Sequence, residues 1–90
     1  MAYSVEITRA AAKQFRSLSV KDRDRLLEVV DDLAYVPRPA GAKILKGSGS
    51  LYRIRVGNYR IIYQIEESVR VVLVVTVGHR KDVYRKLNLG

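Results

Sequence analysis

The sequence has no cysteine and a single histidine, His79. The first absence excludes a disulfide framework and any thiolate metal site, and the second excludes a cluster of histidine ligands. No motif for a cofactor is seen, and no metal and no cofactor are expected. A chain without cysteine also fits a reducing compartment, and a cytoplasmic location is expected. Long hydrophobic runs are missing as well. The longest apolar run in the sheet half, Val71 to Val75, is far short of the roughly 20 residues a membrane-crossing helix needs. Met1 to Thr8 shows no basic segment leading into an apolar one, so no secretory leader is expected. Proline occurs only at Pro37 and Pro39, which confines the strongest helix-breaking signal to one place.

Acidic residues are scarce in one part of the chain only. Met1 to Val36 carries six basic and six acidic residues, whereas Pro37 to Gly90 carries eleven basic and three acidic, so the whole net charge of +8 sits in the second part. A field of this kind attracts polyanions and speeds association in a salt-dependent way. Nucleic acid is the first candidate partner and an acidic protein the second. Anionic membrane comes last, because no basic amphipathic helix is evident.

Ninety residues make one domain, residues 1–90, with a small core. Tyr3 to Ile7 alternates and reads as a short strand. Thr8 can cap a helix over Arg9 to Leu18, where Ala11, Ala12, Phe15 and Leu18 form an apolar stripe. Ser19 opens a second helix running to about Tyr35, with Asp22 at the capping-box position and Leu26, Leu27, Val30, Leu33 and Ala34 on one face. Its carboxylates, interleaved with lysines and arginines, read as a solvated face. Pro37 to Ser50 reads as irregular, with Lys46-Gly47-Ser48-Gly49 as a linker rather than a phosphate loop, because no Gly-Lys-Ser/Thr closes it.

Leu51 to Ile65 is the most informative stretch. Tyr52, Ile54 and Val56 alternate with Arg53 and Arg55, Gly57-Asn58 reads as a two-residue hairpin turn, and Tyr59, Ile61 and Tyr63 resume the alternation. This turn sets Val56 opposite Tyr59, Arg55 opposite Arg60, Ile54 opposite Ile61, Arg53 opposite Ile62 and Tyr52 opposite Tyr63. One face is then apolar and aromatic, with Tyr52, Tyr59 and Tyr63 packing into a core. The other face carries Arg53, Arg55 and Arg60. Like charges facing each other across a hairpin destabilise it, and a bound phosphate backbone would offset that. Val71 to Val77 reads as a buried strand ended by Gly78; His79, Arg80 and Lys81 follow, and Val83 to Leu87 reads as a short last helix.

With Leu51-Tyr52-Arg53-Ile54-Arg55-Val56, Tyr59-Arg60-Ile61-Ile62-Tyr63, Val77-Gly78-His79-Arg80 and Val83-Tyr84 in this order, the chain resembles the RelE/ParE toxin superfamily, and within it the RelE-like messenger-RNA interferases. The resemblance implies an α+β fold: an N-terminal strand, an antiparallel helix hairpin on one face of a mainly antiparallel four-stranded sheet, and a short C-terminal helix. It implies a type II toxin that enters the ribosomal A site and cuts messenger RNA by attack of a 2′-hydroxyl on the adjacent phosphate, without a metal. It further implies a RelB-like antitoxin with an acidic toxin-binding segment, in a toxin–antitoxin hetero-oligomer. Arg53, Arg55, Arg60, Arg80 and Tyr84 map onto the family's catalytic positions. Lys43, Lys46, Lys81 and Arg85 extend the basic surface toward RNA or ribosome. Arginine does not lose its proton, so Arg53 and Arg55 suit electrostatic roles rather than that of a base. His79 is the alternative base. Two other readings stay open: a ParE-like, non-enzymatic inhibitor of DNA gyrase, and a module that binds antitoxin or RNA with catalysis lost.

Overall fold

The computed structural model describes residues 2–45 and 50–86, with side chains through residue 83. Its elements are β1 (Ser4–Ile7), α1 (Arg9–Arg16), α2 (Val20–Leu33), β2 (Lys43–Ile44), β3 (Leu51–Val56), β4 (Tyr59–Glu66), β5 (Val71–His79) and α3 (Arg80–Lys86). Both helix starts are set by capping side chains. Thr8 Oγ1 accepts the Ala11 N–H at 3.1 Å, and Ser19 Oγ accepts the Asp22 N–H at 3.2 Å. These bonds satisfy amides that a helix cannot pair internally. Each helix then buries one stripe: Ala11 and Phe15 from α1, Leu26, Val30 and Leu33 from α2.

The strands form one sheet in the order β1-β5-β4-β3-β2. β1 runs parallel to β5, and all other neighbours are antiparallel. The β3–β4 register is the one expected from the Gly57-Asn58 turn, from Val56 opposite Tyr59 to Tyr52 opposite Tyr63. Gly57 has φ of +60°, the left-handed conformation that such a turn requires. Helices α1 and α2 cover one sheet face, where Val56, Ile61, Tyr63, Ile65, Val72, Val74 and Val77 join their buried stripes in a single core. Tyr52 and Tyr59 pack against its edges, so all three tyrosines are packing residues as expected.

Three differences from the sequence reading concern element limits. Among the described residues the sheet has five strands rather than four, because Lys43 and Ile44 pair with Arg53 and Tyr52 inside the stretch expected to be irregular. The strand expected to end at Gly78 continues to His79, and the last helix begins at Arg80 instead of Val83. The two long helices also end earlier, at Arg16 and Leu33. The irregular stretch is held by side chains. Tyr63, fully buried, donates to the Pro37 carbonyl at 2.7 Å. Arg38 pairs with Glu67 at 2.8 Å and donates to Tyr52 Oη at 3.0 Å, while Tyr3 donates to the other Glu67 oxygen at 2.7 Å. This network ties the loop after α2 to β3, to β1 and to the β4–β5 turn, and so delivers the chain to the β3 edge where β2 forms.

Candidate nucleic-acid interface

Period-two alternation sorts the sheet side chains by face. Ile54, Ile61 and Val77 share the helix side, so Arg53, Arg55 and Arg60 share the other. Arg55 and Arg60 are direct partners, and Gly78 lies beside Arg60 on β5. Lys43 is the β2 partner of Arg53, which brings it onto the same face. Four cations from three strands therefore converge there. The sequence-expected positions Lys46, Tyr84 and Arg85 have side chains outside the described residues, as does the Lys46-Gly47-Ser48-Gly49 run. Lys81 is exposed on α3.

The arginines differ in setting. Arg55 is exposed. Arg60 is only 8% exposed, and its Nη1 donates to the carbonyls of Tyr59 at 2.9 Å and Gly57 at 3.3 Å. Its guanidinium is thereby fixed over the hairpin turn before any ligand arrives. Arg53 is half-buried, and its Nε is a buried donor without a partner among the described residues. A buried donor of this kind favours an incoming acceptor. α3 closes the same end of the sheet: Val83 is fully buried, and a methyl group at Gly78 would meet Val83 Cγ2 at 3.6 Å. The Arg80 N–H donates to the Asn58 carbonyl at 2.9 Å, which pins the start of α3 to the hairpin turn two residues before Arg60.

His79 is not brought together with these arginines. It pairs with Tyr59, on the helix side of the sheet, and its ring meets the Tyr59 ring edge-on with centroids 6.2 Å apart. Tyr59 donates to Asp22 Oδ2 at 3.0 Å, and that bond raises the tyrosine's pKa. Asp22 is thus more than part of a solvated helix face. Arg25 is a cation that sequence reasoning missed. A Cβ built at Gly57 would lie 3.3 Å from Arg25 Nη1, so this guanidinium from α2 covers the turn. No sequence signal marks it, because the contact joins residues 32 apart. A mainly apolar cleft of about 470 Å³, lined by Val29, Leu33, Tyr35, Val36, Pro39 and Ile54 with Asp32 as its one charged residue, lies away from the arginines and carries no convergent polar chemistry. Among the described residues no group of three or more histidine, cysteine, aspartate or glutamate side chains could hold a metal ion, and no helix is long and apolar enough to cross a membrane. What the arginine face offers is permanent positive charge at fixed positions, suited to an anion with several oxygens.

Comparison with known proteins bears on the family and the fold. Residues 5–84 match the family described as ParE toxin of type II toxin-antitoxin system, parDE. The mRNA interferase toxin RelE of Escherichia coli is 32% identical over 93% of this chain and 92% of its own length. Toxin RelG of Mycobacterium tuberculosis is 28% identical, over 96% and 100%. The toxin in the archaeal RelE-RelB complex from Pyrococcus horikoshii superposes with a TM-score of 0.77 at 34% identity, covering 89% of this chain and 97% of that one. A chain of the E. coli RelBE toxin-antitoxin complex gives 0.77 at 30% identity, over 87% and 96%. Fold, arginine-bearing hairpin and full-length similarity together place this chain in the RelE/ParE superfamily, as a toxin of a type II toxin–antitoxin system.

Proposed function

We propose that this toxin is a ribosome-dependent endoribonuclease that cleaves messenger RNA in the A site and so stops translation. The observation that carries the reading is the convergence of Arg53, Arg55 and Arg60 on one sheet face, with Arg80 anchored to the same hairpin. In the reaction, the 2′-oxygen of one nucleotide attacks the adjacent phosphorus, the bond to the 5′-oxygen breaks, and a 2′,3′-cyclic phosphate and a 5′-hydroxyl result. The phosphorane-like transition state gains negative charge on its oxygens, which fixed guanidiniums stabilise. Arg60, held over the turn, is the phosphate clamp. Arg80 donates to the departing 5′-oxygen. Arg53 and Arg55 stabilise the developing charge, and the Arg53 Nε, unpaired among the described residues, gives one of them a directed donor. Tyr84 stacks on a splayed base. None of the arginines takes the 2′-proton, since a guanidinium cation has no lone pair to accept it. The proton leaves to solvent water, and water protonates the departing 5′-oxygen while Arg80 holds it by a hydrogen bond. His79, across the sheet from Arg60, has no part in this mechanism. Lys43, Lys81, Lys46 and Arg85 contact RNA backbone and set the salt dependence.

The partners that follow are the ribosome with its message in the cytoplasm, and a RelB-like antitoxin whose acidic segment covers the arginine face. Relatives are crystallised with antitoxins, as in the E. coli and P. horikoshii complexes. The match to the ParE family favours a second reading, a non-enzymatic inhibitor of DNA gyrase. Incubating the purified toxin with programmed ribosomes, and separately with gyrase and relaxed plasmid, separates the two. Cut message with unaffected supercoiling supports the nuclease; intact message with blocked supercoiling supports the inhibitor.

A further inference from the structure

β5 contains one residue more than its partner can match. Ile61 pairs with Val77 and Ile62 with Thr76, but Tyr63 pairs with Val74, so Val75 is the extra residue of a bulge. A single-residue insertion reverses the face of everything after it. Val72 and Val74 point into the core before the bulge, and Val77 does so after it. Gly78 consequently falls beside Arg60. An unbulged strand would put Val77 there instead, crowding the clamp with a branched side chain. It would also displace Arg80 from the Asn58 carbonyl.

The bulge is held from outside the sheet, by α1. Thr8 donates its hydroxyl to the Val75 carbonyl at 2.7 Å and its N–H to the Val74 carbonyl at 3.0 Å. Gln14, two helical turns further on, presents its Oε1 to the Val77 N–H at 2.9 Å and to the Thr76 hydroxyl at 2.9 Å. The backbone N–H can only donate, so the side-chain oxygen is the group that matters. Thr76 is 4% exposed and depends on this oxygen for its bond. Gln14 lies on the helix side of the sheet, away from the arginines, and touches no RNA in the proposed reaction.

We infer that Gln14 is a positioning residue for the cleavage site: it locks the β5 bulge, which keeps a glycine beside Arg60 and sets Arg80 at the hairpin turn. The inference rests on the nuclease reading for its effect on catalysis, but not for its effect on the bulge. Gln14→Glu keeps both acceptor functions; Gln14→Leu removes them; Gln14→Asn is one methylene too short and serves if the leucine variant does not fold. On programmed ribosomes, Gln14→Leu or Gln14→Asn should lower kcat about tenfold or more, since a small misplacement of reacting groups has effects of that order. KM and antitoxin affinity should stay within about threefold, and Gln14→Glu should restore kcat to within about threefold of the parent. Amide hydrogen exchange, followed on the same proteins, should show the Arg80 N–H losing protection in the leucine or asparagine variant and keeping it in the glutamate variant. Equal kcat per folded molecule in all variants, or an equal fall in Gln14→Glu and Gln14→Leu, overturns the inference. If the parent cuts no message, the nuclease reading fails by itself. The exchange pattern then still decides the clamp: selective loss of Arg80 protection upholds it, and unchanged protection refutes it.

Discussion

Replacing Arg60 with alanine separates a structural role from a chemical one. In the folded protein, Arg60 Nη1 makes two bonds to turn carbonyls, Tyr59 O at 2.9 Å and Gly57 O at 3.3 Å. Alanine loses both, but these carbonyls sit at a hairpin tip that water can reach, so the net destabilisation is about 1–2 kcal/mol. For a domain of this size that lowers Tm by about 5–15 °C. Against a folding free energy of about 5 kcal/mol or more, the variant stays almost wholly folded at 25 °C. Unfolding therefore removes only a few per cent of activity at most. Under the proposed mechanism, in contrast, loss of one fixed donor to the transition-state oxygens should lower the cleavage rate by about 10²–10³. The salt dependence of ribosome binding should also weaken, by about 0.7 in the log–log slope for a single-stranded phosphate contact. Single-turnover cleavage on programmed ribosomes, run beside a thermal melt and a salt series, reads all three quantities. If Arg60→Ala melts lower yet cleaves within about threefold of the parent, Arg60 is a turn staple and the clamp assignment is wrong.

Three further outcomes follow from other parts of the structure. Arg25→Ala removes the guanidinium over Gly57 and should reduce the salt slope of ribosome binding by about one, with kcat unchanged; an unchanged slope would detach α2 from the interface. Burial pushes the Tyr63 pKa up to about 12, so its folded-state stabilisation is complete below pH 10 and is lost as pH rises toward 12. Tyr63→Phe should diminish that alkaline loss and lower stability near neutrality by about 1 kcal/mol, since it leaves the Pro37 carbonyl unpaired; urea unfolding at both pH values checks it. Glu67 is held below the usual carboxylate range by its bonds from Tyr3 and Arg38. Its contribution is present above the free carboxylate pKa and disappears as pH falls through the lower folded value, so Glu67→Gln should flatten the acid limb of a pH–stability curve. A curve of unchanged shape would show that the exposed network adds no stability.

Much of the fold was legible because local signals agreed. Thr8 and Ser19 stand where capping residues belong, and both cap. Gly57-Asn58 between alternating runs determined the β3–β4 register, and with it the shared face of Arg53, Arg55 and Arg60. What stayed hidden depends on contacts distant in sequence. Lys43–Ile44 is too short to carry a periodic pattern and becomes a strand only because β3 is beside it. The β5 bulge left no trace, because Val71 to Val75 is apolar throughout and marks neither face. Without the bulge, the faces of Gly78 and His79 cannot be assigned, so adjacency to Arg80 in the sequence, which made His79 a candidate base, does not carry over to the folded sheet. Gln14 and Arg25 are ordinary helix residues until β5 and the hairpin turn are packed against them.

The central claim is that an arginine-lined sheet face cuts RNA while the message is held on the ribosome. The most direct test incubates the purified toxin with ribosomes carrying a defined message and determines the chemistry of the new ends. A cut within the A-site codon, ending in a 2′,3′-cyclic phosphate with a 5′-hydroxyl on the downstream fragment, is the predicted result. Message left whole at toxin concentrations that still arrest growth would contradict it.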